Sequence, residues 1–453
     1  MVYDFQGGVH PLDHKERTRG MAIDVLGPRG VLAVPVSQHI GRPAKPIVAK
    51  GDKVLRGQKI GDPVGAVSAA IHAPTSGTVV DVAEINGQFG RPVLAVHVEA
   101  DGEDAWAEGC NIQRDPDALE PKLLLEIIRE AGIVGMGGAT FPTAFKLSPP
   151  PNKPIDAAVL NGVECEPYLT SDHRLMLEHP QDVLAGFRLI RRILGAKIAV
   201  IGIESNKMDA VDAMRRAVGS EDIEVVALPV KYPQGAEKQL IKAVLNREVP
   251  SGGLPMDCGV VVQNCGTAFA VWQAAARGIP LIERVVTVTG DAVRRPGNYL
   301  CRVGTPFEQL LTRSEITAAA NKLILGGPMM GLAQRTSEQV VTKGTGGILI
   351  LEHAEAFEGG PCIRCGRCVE GCPSGLVPSA LSILAENLKF DEAEEFGAND
   401  CIECGVCTFV CPSRRPIVHY IRFLKDELRR QAVLAAERER EQLAKEEAAA
   451  EKA

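Results

Sequence analysis

Two copies of one cysteine spacing constrain this chain more than any other feature. Cys362-Ile-Arg-Cys365-Gly-Arg-Cys368-Val-Glu-Gly-Cys372-Pro373 and Cys401-Ile-Glu-Cys404-Gly-Val-Cys407-Thr-Phe-Val-Cys411-Pro412 both read CxxCxxCxxxCP. Three thiolates at that close spacing wrap three corners of a cubane, while the fourth, offset and followed by proline, points away to a partner cluster. The reading is two [4Fe–4S] clusters. Cys362, Cys365, Cys368 and Cys411 would bind one, and Cys372, Cys401, Cys404 and Cys407 the other. Ligation of each cluster wholly within its own motif is the alternative. Zinc sites close with four ligands in tetrahedral pairs, so a tight third cysteine followed by Cys-Pro suits cubanes better. Cys110, Cys165, Cys258, Cys265 and Cys301 show no ligand spacing and read as small core or loop residues.

Eight of the 13 cysteines lie between Cys362 and Cys411. That density suits metal ligation in a reducing compartment rather than a disulfide framework. Clusters alone form an electron wire, so another part of the chain must supply or accept electrons in pairs. At 453 residues there is room for it: about 150 residues per domain suggests roughly three domains. A net charge of −7 without a long basic run argues against nucleic-acid binding. No apolar stretch reaches about 18 residues, and MVYDFQGGVHPLDHKER carries no apolar signal region, so a cytoplasmic chain with no membrane span of its own is expected.

Residues 27–100 alternate short β-branched runs (VLAVPV, TVVDV, VLAVHV) with Gly/Pro punctuation, predicting a small β sandwich within an N-terminal domain over 1–110. Its half-repeats, Gly51-Asp52 before Val54 and Thr75-Ser76-Gly77 before Val79, resemble the hammerhead of biotinyl and lipoyl carrier domains. The intervening PVGAVSAAIHAP has no acceptor lysine, so the module reads as structural rather than as a swinging arm, with His72 a loop histidine. Next, DPDALEPKLLLEIIREAG sets Leu119, Leu123, Ile127 and Ile128 at helical spacing before Gly132. Apolar runs AAVLN, KIAVIGI, IEVVALPV and GVVVQN then alternate with helix-like segments around 182–194, 206–218, 235–246 and 266–278, a doubly wound α/β core over 111–282. Short strands and turns over 283–353 predict a β-grasp-like module, followed by the cluster domain at 354–425. An Ala/Glu/Arg/Lys tail at 426–453 reads as an exposed helix with i,i+4 ion pairs.

Gly135-Met-Gly137-Gly138-Ala-Thr140-Phe141-Pro-Thr143 lies between helical segments, where its amides can converge on an anion, with phosphate the natural guest. It is not the strand-following GxGxxG of an ordinary dinucleotide fold, and close backbone packing would also explain such glycines. Lys146 follows, then Asn161-Gly-Val-Glu164-Cys-Glu166-Pro167, Tyr232-Pro-Gln-Gly235-Ala-Glu237 and Gln263-Asn264-Cys-Gly-Thr267. Together these motifs resemble the NADH-oxidising flavoprotein subunit of respiratory complex I. With GGVHP near the start, the β module before the core and the twin cysteine motifs after it, residues 1–425 more closely resemble the C subunits of the Rnf/Rsx electron-transport complexes.

That resemblance implies a multidomain α/β protein: an N-terminal β barrel-sandwich module, a Rossmann-like FMN/NADH core, an SLBB β-grasp module and a helical, ferredoxin-like two-cluster domain. Gly135, Gly137, Gly138, Lys146, Asn161, Tyr232, Gly235, Asn264 and Thr267 would hold FMN, its phosphate at the loop and its ring near Asn161. Phe141, Glu164, Glu166 and Glu237 would meet NAD(H), and for Glu166 a solvated loop carboxylate is the competing reading. Hydride chemistry would belong to the flavin, with no catalytic acid–base pair. The implied partners are integral and peripheral membrane subunits of the same complex, with ferredoxin or flavodoxin reached through them, at the cytoplasmic face of the inner membrane. The chain departs from the complex I pattern at Val163, Ala236 and Pro149. Val163 and Ala236 leave open a second reading, a non-catalytic cluster scaffold that has lost flavin or NADH binding.

Overall fold

The computed structural model describes residues 3–354 and 359–450, without the side chains of 443–450. Parts of the expected N-terminal domain (1–2), cluster domain (355–358) and tail (451–453) lie outside the described residues. The chain divides into two compact units, one of Met1–Asp4 with His10–Ala354 and one of Phe5–Val9 with Glu355–Ala453.

In the first unit, the four apolar runs of the core become parallel strands in the order Glu224–Leu228, Ile198–Glu204, Ala157–Asn161, Val260–Asn264. Because side chains alternate along a strand, both faces of so apolar a sheet must be covered. Ala158, Leu160, Ile201 and Val261 join one buried cluster with helices Pro121–Glu130, Pro180–Leu194, Met208–Val218 and Cys265–Arg277. Ala157, Val159, Val200 and Val262 face the opposite way, onto helix Glu237–Leu245. The phase of the first helix differs from expectation. Leu124 and Ile128 are its buried pair, Leu123 is 44% exposed, and Leu119 precedes the helix. A helical period permits more than one apolar stripe, and contact with the neighbouring helices selects among them.

The barrel-sandwich module pairs a four-stranded sheet (Val31–Pro35, Pro92–Ala100, Gly77–Asn86, Lys53–Val54) with a three-stranded one (Lys45–Pro46, Lys59–Asp62, Ile71–His72). Its two half-repeats pair with each other: Gly51 N–H donates to Val79 O (2.7 Å) and Val79 N–H to Asp52 O (2.8 Å). His72 is a correction, being a buried strand residue rather than a loop histidine; burial, with Lys343 and Lys59 nearby, holds its imidazole well below the ordinary value. The segment before the barrel serves other elements. Ile23–Val25 pairs in parallel with Gly297–Arg302 as one edge of the six-stranded sheet otherwise built from Glu283 to Leu351. Phe307 and Leu310 of helix Phe307–Ser314 fill the core of that β-grasp-like module.

The second unit is helical. Ile417, Val418, Ile421, Leu424 and Leu428 of helix Ile417–Ala450 pack on Leu381, Ala385 and Ala393. The expected boundary at 425/426 therefore falls inside one continuous helix. Beyond that boundary Arg429 pairs with Asp426 and Arg430 with Glu427, spaced i,i+3 rather than the i,i+4 expected.

Candidate functional site

The winding of the parallel sheet reverses between Ala157–Asn161 and Val260–Asn264, and ligands of open α/β sheets bind outside the carboxyl ends of strands at such a switch point. Asn161 and Asn264 are register partners at those ends. Asn264 caps helix Cys265–Arg277, its Oδ1 accepting from Gly266 N–H (2.8 Å) while its Nδ2 donates to Asp172 Oδ2 (2.7 Å). Both ends of that amide are thereby fixed. Asn161 Nδ2 donates to Gly235 O (2.8 Å), and its Oδ1 accepts from Val163 N–H (3.1 Å).

The glycine loop folds over this pair. Gly135 N–H donates to Phe141 O (2.8 Å), closing the loop at its neck, and Met136 N–H donates to Thr267 Oγ1 (2.9 Å). A Cβ on Gly137 would lie 3.3 Å from Asn264 Cβ, so the loop rests directly on the helix cap. Gly138, at φ +139°, borders open space, and Gly137, Gly138 and Ala139 are exposed. Exposed amides beside a capped helix N-terminus form a cradle that fits a phosphate-bearing group. Phe141 meets Phe145 edge to face at 5.5 Å, and Phe145 is 42% exposed. Lys146 pairs with Glu237, bringing together an expected FMN residue and an expected NADH residue. Tyr232 is buried, and Gly235 allows its turn to approach Cys165, whose Sγ accepts from Gly235 N–H at 3.3 Å.

Two of the residues expected to meet NAD(H) are engaged within the protein. Glu164 is held by the start of helix Ser171–Glu178: its Oε1 accepts from Asp172 N–H (2.8 Å) and Ser171 Oγ (3.2 Å), and its Oε2 from His173 N–H (3.2 Å). A carboxylate there satisfies amides that lack intrahelical partners. Glu166 is not a solvated carboxylate. It accepts from Met330 N–H (2.7 Å) and Met329 N–H (3.2 Å) of the β-grasp module, and burial pushes its carboxyl up to about 7.

Three other charged residues at this site were not legible as site residues in the sequence. Lys15 Nζ, buried, donates to the carbonyls of Glu164 (3.0 Å), Glu166 (2.9 Å) and Leu169, anchoring the loop that carries both glutamates. Its one local signal is its place soon after GGVHP. Asp172, behind Asn264, is pushed up to about 6 by burial and then by Glu164. Arg284 approaches the glycine loop from the β-grasp sheet, its Nη1 2.8 Å from Met136 Sδ.

In the second unit, Cys372 of the first motif and Cys401, Cys404 and Cys407 of the second line one cavity, with Pro373, Leu376 and Ile421 among its walls. Burial raises the Cys401, Cys404 and Cys407 thiols, Cys404 up to about 12. Such a set ionises readily only against a compensating cation, and its chemistry fits an iron–sulfur cubane. The two motifs wind alike: φ is +56° at both Arg364 and Glu403, +78° at Gly366 and +79° at Gly405, and a one-turn helix follows each glycine. Cys368 and Cys407, with Cys401 and Cys411 packed against them, border one apolar cluster; Cys362 is half-buried and Cys365 exposed. Gly7 and Gly8 lie against the backbone at Cys372. Gly8 N–H donates to Gly371 O (2.9 Å), and a Cβ on Gly7 would lie 2.7 Å from Cys372 O. Lys425 Nζ donates to Cys401 O (2.7 Å) and Glu403 Oε1 (2.6 Å), tying the long helix to the second cysteine loop.

Comparison with protein families matches four models along the chain: an RnfC barrel sandwich hybrid domain (residues 3–103), a Nuo51 FMN-binding domain (128–273), an SLBB domain (285–333) and a 4Fe-4S dicluster domain (353–415). The chain is 48% identical to the C subunit of the proton-translocating ferredoxin:NAD(+) oxidoreductase complex of Clostridium ljungdahlii, over 97% of this chain and 96% of that one. It is 43% identical to the C subunit of the Na(+)-translocating ferredoxin:NAD(+) oxidoreductase complex of Acetobacterium woodii, over 94% and 97%. It is also 43% identical to the C subunit of the ion-translocating oxidoreductase complex of Rhodobacter capsulatus, over 84% and 74%. With a cradle for a phosphate-bearing cofactor and a four-thiol cavity in one sequence of that similarity, the chain belongs to the family of C subunits of ion-translocating oxidoreductase complexes.

Proposed function

We propose that this chain is the NAD(H)-reactive peripheral subunit of a membrane-bound ion-translocating complex, passing electrons between NADH, FMN and two [4Fe–4S] clusters, toward or from ferredoxin through partner subunits. What carries this reading is the pairing, in one chain, of a phosphate cradle at a switch point with a cavity lined by four thiols. The exposed amides of Gly137 and Gly138, with Asn264 and Thr267, would hold the phosphate end of FMN. Asn161, Tyr232 and Gly235 would line its ring. Phe141 offers an aromatic face to NAD(H), beside the Lys146–Glu237 pair. When bound, FMN supplies the exchange between a hydride and the single electrons that clusters carry. The protein's part is orientation: Asp172 and Gly266 fix the Asn264 amide, and the closed neck at Gly135 holds the loop amides outward.

The proposed ligand sets are Cys362, Cys365, Cys368 and Cys411 for one cluster, and Cys372, Cys401, Cys404 and Cys407 for the other. The proposed domains remain 1–110, 111–282, 283–353, 354–425 and 426–453, with strand Ile23–Val25 completing the third domain's sheet. Among the described residues no helix is long and apolar enough to cross a membrane, so attachment to the cytoplasmic face of the inner membrane would fall to partner subunits. The test is the visible spectrum and iron content of anaerobically purified protein. Flavin bands bleached by NADH, with about eight irons per chain, are expected. Broad iron–sulfur absorption without flavin would refute this function.

A further inference from the structure

Two basic side chains lie beside the glycine loop, and they differ in how their charge is met. Lys146, just after the loop, is already paired with Glu237. Arg284 is 6% exposed, and among the described residues it forms no ion pair. Its Nε donates to Thr345 O (3.2 Å), and its Nη1 points at the thioether of Met136 (2.8 Å), a weak acceptor. A guanidinium withdrawn from water ordinarily costs several kcal/mol and is retained where an anion compensates it. Burial pulls this one below the ordinary arginine range, and the nearby Asp172 and Glu164 carboxylates oppose that only in part.

The surroundings are shaped to admit the guanidinium. A Cβ on Gly266, in the first turn of helix Cys265–Arg277, would lie 3.3 Å from Nη1, and one on Gly346 would lie 3.6 Å from Nη2. Met136, which the guanidinium touches, is also the loop residue whose amide is fixed by Thr267. The loop, the helix N-terminus and a buried cation with no ion pair among the described residues therefore converge on one spot. Charge acts strongly across a buried region of low dielectric.

We propose that Arg284 is the specificity-determining residue that makes the crevice select a phosphorylated flavin over the unphosphorylated one. It supplies the positive charge that Lys146 has given to Glu237, and it acts beneath the loop rather than at the ring. This rests on the flavin reading of the crevice. The preference for a dianionic phosphate monoester thus comes from the β-grasp module as well as from the α/β core.

The experiment compares FMN and riboflavin binding by fluorescence quenching, using the full-length chain depleted of flavin with its clusters retained. Wild type is expected to favour FMN clearly. Arg284→Gln should cut the FMN-to-riboflavin affinity ratio about tenfold or more, mainly through FMN. Arg284→Lys should recover most of the ratio. Arg284→Met, an uncharged side chain suited to a buried site, replaces the glutamine variant if that one does not fold. Equal losses for both flavins in a folded variant, or an unchanged ratio, would overturn the assignment while leaving the flavin site standing. Wild type binding neither flavin would overturn the crevice reading itself, and this proposal with it.

Discussion

Replacing Gly186 with alanine sets two effects of opposite sign against each other within helix Pro180–Leu194. Alanine is the better helix former by about 1 kcal/mol, so on an exposed helix the change would stabilise. Here the added Cβ would lie 1.7 Å from the carbonyl oxygen of Ala268 in helix Cys265–Arg277, whereas an ordinary contact begins at 3.4 Å. The helices must therefore part by about 1.7 Å, the difference between those two distances. A packed interior does not absorb that much, and overpacking of this kind costs about 1–3 kcal/mol, here at the upper end. The expected net loss is about 2 kcal/mol. Trp272 sits on the displaced helix and Trp106 is the other tryptophan, so urea unfolding followed by fluorescence in a Trp106→Phe background reads the relevant segment. A lower midpoint is expected, with weaker FMN binding, because Asn264, Gly266 and Thr267 stand at the N-terminus of the helix that moves. A raised midpoint with unchanged FMN affinity would show that helix propensity outweighs the clash and would refute the close-crossing argument.

Crossed ligation of the clusters is tested by Cys372→Ser. Its electron paramagnetic resonance signature should match that of Cys401→Ser and not that of Cys362→Ser, with iron falling toward about four per chain. The same perturbation in Cys372→Ser and Cys362→Ser would favour ligation within each motif. Glu166 makes a pH-dependent contribution. Its folded value of about 7 lies above the ordinary 4.5, so the folded protein binds this proton more tightly than the unfolded chain does. The contribution is greatest below the unfolded value and is lost as pH rises through about 7, with a ceiling of roughly 3 kcal/mol. Glu166→Gln should therefore flatten the dependence of the urea midpoint between pH 5 and pH 8, and gain relative to wild type at pH 8. A variant less stable than wild type at pH 8 would mean that the amides of Met329 and Met330 outweigh burial.

Much of the architecture was legible because it depends on neighbours in sequence. The twin cysteine spacings, the four apolar runs that became parallel strands, the hammerhead-like half-repeats and the glycine loop are all properties of short segments. The fate of individual charges was not legible. Glu164 and Glu166 stand two residues apart in one motif, yet one closes the start of a helix and the other grips amides at Met329 and Met330. Lys15 and Arg284 lie far along the chain from the loops they support. Even the apolar stripe of the first helix was ambiguous between Leu123 and Leu124 until its neighbours were in place. The sequence by itself determined which cofactor chemistry the chain can bear, because thiol spacing and glycine content act locally. Tertiary structure decided which carboxylates and cations remain free to meet a ligand, because the energy of a charge depends on what surrounds it after folding, and those surroundings are assembled from distant segments.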